Sequence, residues 1–315
     1  MCGIAGFITA GDDNSPEVMQ RFLTAMSNAI THRGPDDEGS WSDAEAGVWL
    51  GHRRLSIVDL SNAGHQPMRS ASGRYMIAFN GEIYNHLSLR QEIEAAGEAP
   101  SWCGHSDTET LLQGFDFWGI QATVERAVGM FAFAVWDRQN ATLILGRDRL
   151  GEKPLYYGWQ GRGVHAVFLF GSELKALRKH SAFERNVDRG ALGLQLRHNC
   201  IPAPYCIYEG ISKLLPGNLL SVSRQQPEPR VWTYWSVAEV AKSGVANVFS
   251  GSDRQAVDKL ESLLKDSVSK QMVADVPLGA FLSGGVDSST IVALMQAQSI
   301  NPVKTFTIGF NEDNY

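Results

Sequence analysis

The sequence predicts a layered α+β domain, with helices outside and antiparallel strands inside, followed by the start of an α/β domain. Three observations predict it. Pairs of short apolar runs alternate with pairs of helical patterns across residues 2–188. Residues 189–252 then turn rich in punctuation, with Pro202, Pro204, Pro216, Pro227 and Pro229, and read as a linker and subdomain edge. Residues 253–315 open with a long amphipathic pattern and continue into a strand, a glycine-rich loop and a helix, the order of a βαβ unit.

Composition sets the bounds. With 43% hydrophobic and 20% charged residues, a chain of 315 residues can bury two real cores. A net charge of -6 gives no reason to expect nucleic acid or a membrane surface as partner. The four cysteines, Cys2, Cys103, Cys200 and Cys206, are too scattered for a disulfide framework and lack a histidine cluster, so buried free thiols are expected. No apolar run approaches the ~18 residues of a membrane span, and no basic leader precedes one, so a cytoplasmic location is expected.

The elements follow in order. Ile4 to Thr9 reads as a buried strand that begins almost at Cys2. Methionine before a small residue is commonly trimmed, which would leave Cys2 with a thiol and a free α-amine. An α-amine with a pKa of about 7.7 to 8.0 can serve as the base that activates a thiol. After a turn at Gly11 to Asn14, Ser15-Pro16-Glu17 starts a helix with Met19, Phe22, Leu23, Met26 and Ile30 on one side. His32 to Asp37 is a terminating loop, and Gly47 to His52, Leu55 to Val58 and Tyr75 to Phe79 read as strands. Arg53 and Arg54 interrupt the apolar pattern. They are either exposed cations, or one of them clamps a carboxylate.

Asn80-Gly81 comes directly off a strand and is ordinarily a turn signal. It also supplies a side-chain amide and a backbone N–H suited to an oxyanion. Leu87 to Ala96 and a segment starting at Ser106 read as helices, with Asp107 favoured by the second helix's dipole. Met130 to Asp137 and Thr142 to Gly146 form a hairpin. A charged turn, Arg147 to Pro154, runs into an aromatic strand. Val167 to Phe170 is another strand, and Ser172-Glu173 caps a helix at Leu174 to Leu177. Asp253 to Met272 is amphipathic. Ser283-Gly284-Gly285-Val286-Asp287-Ser288 then lies between a strand and a helix from Thr290 to Gln298, an arrangement that cradles phosphate. Asp287 would repel phosphate unless magnesium bridges them. Val303 to Phe310 closes the unit as a strand.

Taken together, Cys2-Gly3-Ile4, His32 to Asp36, Arg54 to Asp59, Asn80 to Asn85 and Ser106 to Glu109 resemble a class II glutamine amidotransferase domain. Its pairing with a Ser283 to Ser289 pyrophosphate loop is similar to the glutamine-hydrolysing asparagine synthetase family. The resemblance implies an N-terminal-nucleophile αββα sandwich and the start of an ATP-pyrophosphatase-like α/β domain. It implies Cys2 as nucleophile and Asn80 and Gly81 as oxyanion hole. Glutamine would be held by Arg54, Leu55, Ser56, Ile57, Val58, Asn80, Gly81, Glu82 and Asp107. ATP would meet Leu282, Ser283, Gly284, Gly285, Asp287, Ser288 and Ile308, with Asp287 on magnesium. The implied partners are glutamine, aspartate, ATP and a second copy in a homodimer, with an internal ammonia tunnel joining the two sites.

The family carries a second signature loop and a catalytic lysine further on than Tyr315, so the synthetase half is expected to be a truncated piece. A related amidotransferase acting on another carboxylate, such as a sugar acid, would keep every residue named here. A truncated, non-catalytic glutamine-binding paralogue is the other alternative, and retention of every glutaminase residue argues against it. A purine-pathway phosphoribosyl amidotransferase would share the first domain only, and the Ser-Gly-Gly-Val-Asp-Ser loop excludes it.

Overall fold

The computed structural model describes residues 2–11 and 15–309. It forms two compact units, Met1–Ala238 and Glu239–Tyr315. Met1, turn residues 12–14 and the expected strand end at Phe310 lie outside the described residues.

The first unit begins with β1 (Gly3–Thr9), α1 (Pro16–Asn28), β2 (Asp37–Asp43), β3 (Val48–Arg54), β4 (Met68–Arg69) and β5 (Tyr75–Ile83). Helices α2 (His86–Ala95), α3 (Asp107–Trp118) and α4 (Ile120–Arg126) lead to β6 (Gly129–Asp137) and β7 (Thr142–Arg147). Next come β8 (Tyr156–Gln160), β9 (Val167–Gly171), α5 (Leu174–Leu177) and α6 (Arg189–His198). The unit closes with β10 (Ser212–Lys213), β11 (Asn218–Val222) and β12 (Arg230–Thr233).

Two antiparallel sheets result, ordered β10-β8-β9-β1-β3-β2 and β12-β11-β7-β6-β5-β4. Their inner strands, such as β1, β3, β5 and β6, are buried on both faces, whereas the edge strands β2 and β12 are partly exposed, and the side-chain period of two sorts residues between layers. On β1, Ile4 and Ile8 join the cluster between the sheets, whereas Ala5 and Phe7 pack with Met19, Leu23 and Met26 of α1. On β5, Met76 and Ala78 point between the sheets, whereas Tyr75, Ile77 and Phe79 meet Leu111, Leu112 and Phe115 of α3. Helices therefore cover the two outer faces, giving the αββα order. Burying a large apolar side chain contributes roughly 1.5–3 kcal/mol, and each of the three layers holds more than ten buried residues.

The stretch expected as a linker, 189–252, instead supplies α6 and three strands of this unit, β10 extending one sheet and β11 and β12 the other. Its prolines punctuate short strands. Leu55–Val58 is not a strand either, because side chains claim its backbone: Leu55 N–H meets Cys2 Sγ at 3.3 Å and Ser56 N–H meets Asp36 Oδ2 at 2.8 Å. Of the cysteines expected to be buried, Cys206 is, Cys2 is partly so, and Cys103 and Cys200 are exposed.

The second unit comprises α7 (Val237–Ala246, which starts at the end of the first), α8 (Asp253–Gln271), β13 (Gly279–Phe281), α9 (Val286–Ala297) and β14 (Lys304–Phe306). A reciprocal Ser252–Gln255 capping box starts α8. Strands β13 and β14 are parallel neighbours joined through α9, a βαβ unit. Helix α9 begins at Val286 rather than Thr290, because extended Gly285 already serves as its N-cap. No helix among the described residues is long and apolar enough to cross a membrane.

Candidate active site

The pleat that builds the core also builds the site. Continuing the inward row of β1 back past Ile4 reaches Cys2. The inward row of β3, through Val48 and Leu50, ends at His52 and Arg54. That of β5 continues from Met76 and Ala78 to Asn80 and Glu82, and that of β6 from Ala134 and Ala132 back to Met130. At this end of the inter-sheet layer the apolar rows thus give way to polar groups, which line a cavity of 260 Å³. That is slightly below the usual 300–1,000 Å³ of drug-sized pockets and suits a small metabolite.

Cys2 Sγ lies against one residue's backbone, 3.5 Å from Leu55 O and 3.3 Å from Leu55 N. Burial pushes the thiol up, and the Leu55 N–H opposes that by favouring the thiolate. From behind, Arg33 Nε donates to the Cys2 carbonyl at 2.9 Å, and Arg33 itself pairs with Glu173 at 2.9 Å. The Glu173 side chain, expected to cap α5, makes no cap bond and serves Arg33, His32 and Lys175 instead.

The two arginines separate by pleat. Arg53 turns toward α1 and pairs with Glu38, Ser27 and Asn28. Arg54 enters the cavity, its guanidinium held by the carbonyls of Ser61 at 3.1 Å, Val58 at 3.4 Å and Asp59. Asp59 fastens that loop: its Oδ1 accepts Ser61 N–H at 3.1 Å and its Oδ2 accepts His105 N–H at 2.9 Å. Leu55, Ile57 and Val58 line the cavity, but Ser56 does not.

Asn80 is 1% exposed and its Nδ2 has no hydrogen-bond partner. A buried unsatisfied donor costs about 1–3 kcal/mol, so one facing a cavity calls for an acceptor from the ligand. At Gly81 a Cβ would run into Met130 O and Phe131, so glycine is required there. Asp107 opens α3 behind its N-cap Ser106 and accepts Ile83 N–H at 2.8 Å. Burial raises its carboxyl to about 6, and Glu82 pushes the same way. Burial also raises Glu82, whereas Lys153 in the same cavity draws it back down.

Lys153 was not legible as a site residue, and neither were Gln66, Thr108 and Met130. All four line the cavity. The only signal for Lys153 was the density of charge between Arg147 and Pro154. Its placement comes from Asp148, whose buried carboxylate accepts the N–H groups of Phe131, Leu150, Glu152 and Lys153 at 2.9–3.2 Å. Met130 follows from the period of β6 alone.

In the second unit, the loop between β13 and α9 is folded on itself. Ser288 Oγ bonds Ser283 N–H at 3.3 Å and Ser283 Oγ at 3.0 Å, and Gly284 takes a φ of 82°. Gly285 caps α9 without a side chain, which leaves the first-turn N–H groups open to an anion. Leu282 and Ile308 follow neighbouring parallel strands, outside the carboxyl ends where nucleotides bind in open α/β sheets. The Leu282 N–H already donates to Phe306 O at 2.9 Å, and its carbonyl accepts from Thr307 Oγ1 at 2.7 Å, so a ligand would have to share that carbonyl's second lone pair. Asp287 is a single carboxylate, and no three metal-ligating side chains cluster among the described residues. This set does not hold a metal alone. It suits magnesium, which keeps water and substrate phosphates as most of its ligands.

A thiol at the head of the first strand of an αββα sandwich, facing an amide donor, an arginine and a carboxylate, defines an amidotransferase-type hydrolase. The chain belongs to the glutamine amidotransferase domain family, which matches residues 1–235, and an asparagine synthase domain matches residues 259–315. Asparagine synthetase [glutamine-hydrolyzing] 3 of Bacillus subtilis is 36% identical over 100% of this chain and 49% of its own length. A protein of Methanocaldococcus jannaschii is 35% identical over 98% of this chain and 60% of its own. The chain therefore spans only part of these relatives. A B. subtilis glutamine phosphoribosylpyrophosphate amidotransferase shares the fold, with a TM-score of 0.52 at 17% identity over 97% of this chain and 65% of that one.

Proposed function

We propose that this chain carries the glutamine-hydrolysing half of an asparagine synthetase and the opening part of its ATP-dependent half. The observation that carries the reading is the unpartnered Nδ2 of Asn80, buried in the wall of the cavity that also holds the Cys2 thiol. Glutamine fits with its α-carboxylate on Arg54, its ammonium on Asp107 and Glu82, and its side-chain carbonyl toward Asn80 and Gly81. Cys2 Sγ bonds to that carbonyl carbon, and its proton passes through the α-amine of Cys2 once Met1 is removed. The negative charge on oxygen is met by Asn80 Nδ2. As the C–N bond breaks, ammonia leaves with the proton, and water then cleaves the thioester to give glutamate. ATP gives its adenylyl group to an aspartate carboxylate and releases pyrophosphate, whose oxygens suit the Ser283–Ser288 loop. The ammonia then displaces AMP, losing a proton, to form the amide. Asp287 would hold magnesium, which supplies charge neutralisation of those phosphates.

Glutamate release should fall by at least about a thousandfold in Cys2→Ala, and intact mass should show Met1 absent from the active protein. Release that persists in the variant would assign the chemistry to another group. Release by protein that retains Met1 would remove the α-amine from the mechanism.

A further inference from the structure

Gln66 is buried, 5% exposed, and lines the same cavity. Its Oε1 accepts the Phe79 N–H at 2.7 Å, which settles which end of the amide is oxygen. Its Nε2 then donates to Thr108 Oγ1 at 3.3 Å. A hydroxyl has a single proton. With the Gln66 N–H on one lone pair, Thr108 directs that proton to Asp107 Oδ1, 3.4 Å away. The other oxygen of Asp107 accepts Ile83 N–H at 2.8 Å. One chain of hydrogen bonds therefore runs from the strand residue before Asn80 to the carboxylate of Asp107.

We infer that Gln66 is a positioning residue, which holds the Thr108 hydroxyl as a donor and so keeps Asp107 an ionised acceptor for the ammonium group of glutamine. This rests on the glutaminase reading and deepens it. The charges around Asp107 leave it little margin. Glu82 on β5 disfavours its ionised form, and the Cys2 thiol at the head of β1 shares the cavity. Arg54 at the end of β3 and Lys153 after β7 supply positive charge in the same wall. His105, before α3, is engaged with Asp59 at 3.7 Å. Burial lifts Asp107 to about 6, the Ile83 and Thr108 N–H groups draw it back, and the Thr108 hydroxyl adds to them in favour of the charged form.

The substitution Gln66→Glu tests this with almost no change of shape. One oxygen of the new carboxylate still accepts Phe79 N–H. The other accepts where the amide donated, so the Thr108 hydroxyl turns toward it and away from Asp107, while a like charge is added. Both effects raise Asp107. The acid limb of kcat/KM for glutamate release should move up by about one pH unit, so that kcat/KM on that limb falls about tenfold. The loss should appear in KM more than in kcat. Thr108→Val should move the limb the same way and Thr108→Ser should restore it. A folded Gln66→Glu protein with the wild-type acid limb and KM overturns the inference alone. Should that variant fail to fold, as judged by its thermal transition, the Thr108 pair decides: equal limbs in Val and Ser overturn it. A wild type that releases no glutamate overturns the glutaminase reading and this inference with it.

Discussion

Gly64 has no side chain to offer a ligand, yet it decides where Arg54 can sit. A Cβ there would land on Arg54 Nη2, and the guanidinium cannot yield because the carbonyls of Ser61, Val58 and Asp59 hold it. Gly64→Ala should therefore raise the KM for glutamine about tenfold, some 1.4 kcal/mol of binding, with a smaller fall in kcat. Steady-state glutamate release measures both, and an unchanged KM would show that Arg54 does not hold the substrate. Residue type alone left Arg53 and Arg54 equivalent, and it was the family resemblance that pointed to Arg54. Only the run of β3 to its final residue separates them, since alternation from Val48 sends Arg54 inward and Arg53 to α1. Cys2, Asn80 and Asp107 were legible because each combines a chemical group with a marked position. Gln66 and Thr108 were not, because their value lies in bonds to partners 13 and 42 residues away from Gln66.

At the scale of elements, β3 and β5 lie in different sheets, and His52 ties them. Its Nε2 lies 2.9 Å from Phe79 O, so the ring is a neutral donor there. Burial lowers its pKa from 6.5 to about 4, with Arg54 adding to the effect. The unfolded chain thus takes up a proton that the fold refuses. Stability is full above the unfolded value near 6.5 and is lost as pH falls toward 4, about 3 kcal/mol over that window. Denaturant unfolding from about pH 8 down to about pH 4 should show this slope in the wild type and a shallower one in His52→Gln. Equal slopes would place the acid lability elsewhere. Most helices and strands of the first unit were legible from periodicity and caps. The short strands β10 and β11 were not, because each is held by a sheet neighbour remote in sequence, as where Leu219 and Leu220 pair with Gly146 and Leu145, and β12 in turn pairs only with β11.

Across the whole molecule, the three apolar clusters that frame the cavity all fall within Met1–Ala238. That unit should fold and hydrolyse glutamine alone. A protein ending at Ala238 should unfold in one cooperative transition and keep its glutamate release within about threefold of the longer chain. A folded fragment without activity would show that the glutaminase depends on residues after 238. The turn from Arg149 to Lys153 has a different kind of independence. Its shape is fixed by N–H groups converging on Asp148, and every residue but proline owns such a group. Apart from Gly151, whose φ of 72° favours glycine, the turn can be respelled by mutation while Lys153 stays where it is. The geometry of this loop therefore belongs to Asp148 and Gly151 and not to its remaining letters.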